Sequence, residues 1–153
     1  VLTSKMFCED LIDLSIDVND EQELFDFVGM ITYKKGVSRL GYISSLEKRE
    51  SAYPTGLQFP MITLALPHVD SKYVNKPFIF VGKTKKNLKI KQMGDSKDLK
   101  TNYFLFLGIK NGKDQPKLLA NLMQSFQNEN FVKEFVKQDS KCEMYSFLVK
   151  NII

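Results

Sequence analysis

Histidine occurs once in this chain, tryptophan not at all, and arginine only at Arg39 and Arg49. A single histidine excludes zinc proteases, histidine clusters and paired-imidazole catalysts, all of which need more than one ring. Cysteine is equally scarce. Cys8 and Cys142 are isolated in sequence, which excludes a disulfide framework or a thiolate metal site and suits reduced thiols in a cytoplasmic protein. No apolar run approaches the roughly 20 residues of a spanning helix, and the first residues lack the charged-then-apolar pattern of a secretion signal. A cytoplasmic protein with no metal site is therefore expected.

What remains is the composition of a folded domain. Of 153 residues, 43% are hydrophobic and 26% charged, enough to build one core, so a single domain over residues 1–153 is expected. The formal charge is +4, carried almost wholly by lysine. Lys83, Lys85, Lys86, Lys89 and Lys91 form the densest basic cluster. No aromatic side chains interleave with them and no nucleic-acid reading motif accompanies them, so the cluster suits an acidic protein partner better than nucleic acid.

Hydrophobic spacing predicts the elements. Ile12, Leu14 and Ile16 alternate with polar residues and predict a strand over 9–17. Asn19 and Gln22 resemble a capping box, and Leu24, Phe27, Val28 and Ile31 follow at helical spacing until Gly36. Ser38 can cap a second helix with Leu40, Ile43 and Leu46 inward, ending near Ser51 because Pro54 disfavours helix before it. Arg49 and Glu50 then lie in its last turn. A loop over 53–60 leads to an apolar strand, Met61 to Leu66, which Pro67 ends just before His68. Strands follow over 78–81 and 103–109, the latter apolar enough to be covered on both faces, with a lysine-rich hairpin or excursion between them. Three amphipathic helices close the chain. The first starts at Asp114 with Pro116 in its first turn and buries Leu118, Leu119, Leu122, Met123 and Phe126. The second starts at Asn128 and buries Phe131, Val132, Phe135 and Val136; the third runs over 142–150. Such an order implies an α/β fold, a sheet flanked by helices on both faces, with its site beyond the carboxyl ends of strands. His68 occupies that position.

A lone imidazole can act as a general base, as partner to a serine or cysteine, or as a nucleophile itself. A histidine after a strand can also be purely structural. Near neutral pH the ring keeps a free lone pair, and attack on phosphorus then needs no separate base. Phosphoryl transfer asks the protein mainly to hold the group and to stabilise charge on its equatorial oxygens. Arg49 offers a permanently charged fork for those oxygens. Thr55 offers a hydroxyl, and Gly56 allows backbone amides to approach an anion.

The segment from Arg49 to Asp70, RESAYPTGLQFPMITLALPHVD, resembles the A components (EIIA) of the fructose, mannitol and galactitol class of bacterial sugar phosphotransferase systems. In that class an Arg-Glu pair is followed by a turn often containing Thr-Gly, an apolar strand, and a Pro-His whose histidine is phosphorylated. The likeness extends over roughly 11–148. The Tyr-Pro-Thr-Gly turn, Pro-His-Val-Asp, Pro77-Phe78 and Gln92-Met93-Gly94 are most similar to the galactitol branch.

The resemblance implies a mixed sheet of the mannitol-type fold. It also implies a phosphorelay in which His68 receives a phosphoryl group from the carrier protein HPr. His68 then passes the group to a cysteine of the B component (EIIB), which serves the membrane C component (EIIC). On the same basis Nε2 is the reacting atom, Arg49 and Thr55 contact phosphate, and Glu50 and Asp70 orient their neighbours. No cofactor is implied, because the donor is itself an activated phosphohistidine. Mannitol-type members carry a second histidine near the start of the helix after the central strand. Gln115 stands there in this chain, and its amide would take over that contact.

Two other readings compete. A regulatory protein of the same fold would use phosphorylation of His68 as a signal, without moving sugar. A hydrolase pairing His68 with Ser71 would lack the G-x-S-x-G elbow such enzymes use.

Overall fold

The computed structural model describes residues 3–152, so the first two residues and the last of the expected 1–153 domain lie outside the described residues. Its framework is the hairpin of β4 (Phe78–Lys91) and β5 (Asp98–Gly108), antiparallel from Phe78 opposite Gly108 to Lys91 opposite Asp98. β1 (Phe7–Ile16) lies parallel to β4, and β3 (Thr63–Ala65) parallel to β5. β2 (Gly56–Gln58) runs antiparallel to β3, giving one five-stranded mixed sheet in the order β1-β4-β5-β3-β2. The lysine-rich stretch is the far half of the hairpin.

The period of two in β5 sorts its side chains onto two cores. Phe104 and Phe106 join Phe78 and Phe80 on one face, under α1 (Glu21–Lys34) and α2 (Tyr42–Ala52). Leu105 and Leu107 join Ile79 and Val81 on the other, under α3 (Gln115–Gln127), α4 (Glu129–Lys137) and α5 (Lys141–Asn151). This is the expected α/β architecture, with β5 at its centre and buried on both sides.

Several local expectations are corrected. Ile12 and Ile16 do not share a face: between Asp13 and Ile16, β1 has one residue more than the stretch of β4 opposite it, and this bulge turns Ile16 to the other core. The cap of α1 is Asp20, whose carboxylate accepts from the Glu23 amide, while Glu23 reaches back to the Asn19 amide; the box sits one residue later than Asn19–Gln22. Ser38 caps nothing. It is buried against the Thr32 hydroxyl at 2.8 Å, and α2 starts four residues on, at Tyr42, with Gly41 at φ +93° as its cap. Leu40, before that turn, is 80% exposed. Val136 is also exposed, on the outer face of α4, and the loop over 53–60 contributes β2.

α1 and α2 pack closely because Gly29 lacks a side chain where Ile43 sits; a Cβ there would fall 2.2 Å from Ile43 Cγ1. This packing carries the end of α2, with Arg49 and Glu50, to the mouth of β3. It also brings Glu21, in the first turn of α1, towards Glu50. Glu21 Oε2 is buried without a hydrogen-bond partner among the described residues. Burial, then the neighbouring charges of Glu50 and Asp20, push its carboxyl up to about 8.

A carboxyl whose folded pKa lies above its unfolded value binds more protons when folded, so stability falls as pH rises from about 4.5 to 8. Glu21→Gln should therefore stabilise the protein at pH 8, by on the order of 2 kcal/mol, and change little at pH 5. Thermal unfolding at the two pH values checks this, and an equal gain at both would contradict it.

Candidate active site

Proline cannot continue the sheet ladder as a donor, but its carbonyl still accepts, and Pro67 O takes the amide of Leu107 from β5. His68 is thereby held opposite Leu107 at the carboxyl end of β3, with only 7% of its surface exposed. Its Nδ1 lies 2.7 Å from Leu66 O. A carbonyl has no proton to give, so Nδ1 carries the proton and Nε2 the lone pair. Burial lowers the imidazole pKa below its ordinary value, with the Leu66 bond working against that, Arg49 adding to it and Asp70 opposing it. The ring is neutral and nucleophilic near pH 7.

Around His68 the structure gathers residues from three parts of the chain. Gln115, the first residue of α3, places its side-chain amide nitrogen 3.5 Å from Nε2. Arg49, from the last turn of α2, donates from a terminal guanidinium nitrogen to Asp70 Oδ1 at 2.8 Å, and both charges are felt at His68. The guanidinium also lies over the Tyr53 ring at 5.6 Å. Arg49 keeps about a third of its side chain exposed, so other donors of its fork remain open to an anion.

Thr55 and Glu50 are organised differently from the phosphate contact expected of Thr55. The Thr55 amide and hydroxyl both donate to the Glu50 carboxylate, each at 2.8 Å, and the same hydroxyl accepts from the Leu66 amide at 3.1 Å. With its one proton on Glu50, this hydroxyl has none to offer phosphate in the present arrangement. Burial pushes the Glu50 carboxyl up and the two bonds from Thr55 pull it down, leaving a net rise. Gly56 lies in the sheet beside the β4–β5 hairpin: its carbonyl accepts from the Met93 amide, and a Cβ would fall 2.4 Å from Lys91 O. Close backbone packing is what requires glycine here. Ser71 opens a short 3₁₀ turn, and no hydrogen bond joins it to His68.

Two participants were not foreseen. Tyr53 follows Arg49 by four residues at the end of α2, a spacing that signals contact on a helix. The Leu66 carbonyl has no side-chain signature and could be found only from the fold.

The five-stranded mixed sheet with helices on both faces and a histidine at a strand end is the mannitol-type IIA fold. The same fold occurs in the complex of enzyme IIAMtl and phosphorylated enzyme IIBMtl from Escherichia coli. That match has TM-score 0.74 and 17% identity and covers 94% of this chain and 99% of the other. It occurs also in the nitrogen regulatory protein IIA-Ntr from Neisseria meningitidis (TM-score 0.70, 18% identity, 95% and 97% covered). Residues 5–151 match the family described as phosphoenolpyruvate-dependent sugar phosphotransferase system, EIIA 2, and the chain belongs to that family. It is thus a phosphotransferase-system component. Among curated relatives it is similar to the galactitol-specific EIIA component of Escherichia coli strain K12, 24% identical over 117 residues, 76% of this chain and 78% of the relative.

Because burial is the main cause of the shift at His68, NMR titration of its ring should give a pKa below 6.5. Asp70→Asn should lower it further and Arg49→Gln should raise it, each by less than the effect of burial. A ring that titrates at or above 6.5 would contradict the buried, neutral state.

Proposed function

We propose that His68 carries a phosphoryl group in transit, accepting it from the phosphohistidine of HPr and passing it to the cysteine of an EIIB component. The observation that carries this reading is the pinning of Nδ1 to Leu66 O, which leaves the Nε2 lone pair beside Gln115, with the charge of Arg49 felt at the ring. In the first step the new Nε2–P bond forms as the donor's N–P bond breaks, and the electron pair returns to the donor ring. In the second step the thiolate of EIIB takes the phosphoryl group, and the pair returns to Nε2.

Throughout, the residues here hold and neutralise. Arg49 turns from Asp70 towards the phosphoryl oxygens, and the Gln115 amide, already at Nε2, donates to one of them. Asp70 limits how far Arg49 depresses the basicity of the ring. The complex of IIAMtl with phosphorylated IIBMtl supports an EIIB partner, and the galactitol-specific relative supports a galactitol-like system in which EIIC takes up the sugar. Under this reading residues 1–153 form one EIIA domain working at the cytoplasmic side, with no cofactor. No helix among the described residues is long and apolar enough to cross a membrane.

The likeness to a nitrogen regulatory IIA-Ntr protein supports a second reading, in which the phosphorylated state of His68 is a signal to partner proteins. The two separate after phosphorylation. A transport component loses its label to an added EIIB, whereas a signalling protein retains it.

Incubation with phosphoenolpyruvate, enzyme I and HPr should place an acid-labile phosphoryl group on the protein. His68→Ala should abolish it; retention of the label in that variant would sink the proposal. Arg49→Ala should remain folded and slow labelling by about 100-fold. An unchanged rate would remove Arg49 from the site.

A further inference from the structure

Glu50 presents a puzzle that stability alone does not answer. The residue is 7% exposed and its carboxyl pairs with no lysine or arginine among the described residues, yet both its oxygens are used, and on the same neighbour. Burying a carboxylate without a cation is costly, and an apolar pair at 50 and 55 would fill the space without that cost. What the arrangement achieves is directional. With the Thr55 proton held by Glu50 Oε1, the Thr55 oxygen is left as an acceptor, and it takes the Leu66 amide. Leu66 is the residue just past the end of β3, and its carbonyl receives the Nδ1 proton of His68. Glu50, Thr55, Leu66 and His68 are all buried, so water does not compete for these bonds.

We propose that Glu50 is a positioning residue that acts through Thr55 and Leu66 to hold His68 as its Nδ1–H tautomer, and so directs phosphorylation to Nε2. The second half rests on the phosphocarrier reading; the first half does not. The Leu66 amide is shared between the Thr55 hydroxyl at 3.1 Å and the Thr55 carbonyl at 3.4 Å. Without the clamp it keeps only the longer backbone bond, the Nδ1 contact loosens, and the ring can populate the tautomer with its proton on Nε2. In that tautomer the atom facing Gln115 has no lone pair, and attack must come from Nδ1 on the other side of the ring.

Because His68 is the one histidine, ring ¹⁵N NMR of the unphosphorylated full chain reads its tautomer without ambiguity. Above the ring pKa the wild type should show Nδ1 protonated and Nε2 unprotonated. Thr55→Val, which keeps shape and removes the hydroxyl, and Glu50→Gln, which leaves one acceptor where two are used, should both shift the ring towards a tautomer mixture. Thr55→Ser should restore the wild-type pattern. After labelling, ³¹P NMR should find phosphoryl at Nδ1 in Thr55→Val and Glu50→Gln but not in Thr55→Ser, and labelling in those two should be about 10- to 100-fold slower. If Thr55→Val does not fold, Glu50→Gln carries the same readings.

Wild-type ring signals in folded Thr55→Val or Glu50→Gln would overturn the inference. So would an undiminished rate with all phosphoryl on Nε2. A shifted tautomer in a protein that no phosphoryl donor labels would leave the positioning role standing and remove the phosphocarrier reading instead.

Discussion

The bond from His68 Nδ1 to the Leu66 carbonyl is the constraint on which the rest of the site depends. It converts a ring with two interchangeable nitrogens into one in which Nε2 alone keeps a lone pair. For the bond to persist, Leu66 must not move, and the fold secures that from two sides. Thr55 holds its amide, and the next residue, Pro67, is joined to Leu107 in the most buried strand of the sheet. The side chains gathered near His68 come from α2, from the segment after β3, and from the start of α3, so both faces of the sheet contribute to one locus. Arg49 and Asp70 are partly exposed, while Glu50 and Thr55, joined to each other, are not.

Much of this was legible in the residues. The strand ending at Pro67, the placement of Arg49 and Glu50 in a final helical turn, and Gln115 at the start of α3 follow from periodicity and from proline's missing donor. The double coverage of β5 was announced by its unbroken apolar run. Other features were hidden for physical reasons. A bulge changes which face a side chain takes without changing its identity, so the alternation of Ile12, Leu14 and Ile16 misled. Ser38 and Gly41 compete as helix starts within four residues, and only the burial of Ser38 against Thr32 decides between them.

The clearest gap between pattern and structure is Thr55. A threonine near a phosphate-binding turn suggests a donor to the anion, yet a hydroxyl has one proton, and here Glu50 holds it. Gly56 gives the same lesson, since its missing side chain admits the Lys91 backbone where an anion had been expected. Residue types announce which bonds are available; the fold determines which are made. The family motif around His68 therefore combines residues that touch the reacting atom with residues that hold its supports in place.

The contact between Gly56 and the hairpin has a wider consequence. The far half of β4 and β5 extends past the strands that flank it, bends back through Gly94 at φ +91°, and returns the Met93 amide to the Gly56 carbonyl. That long lysine-rich arm looks like surface decoration, free to vary in length and charge. In fact it is a buttress, bearing on Gly56, the residue immediately after Thr55. Its length therefore matters: a hairpin one residue pair shorter would carry Lys91 and Met93 away from Gly56 and leave that turn without its outer wall.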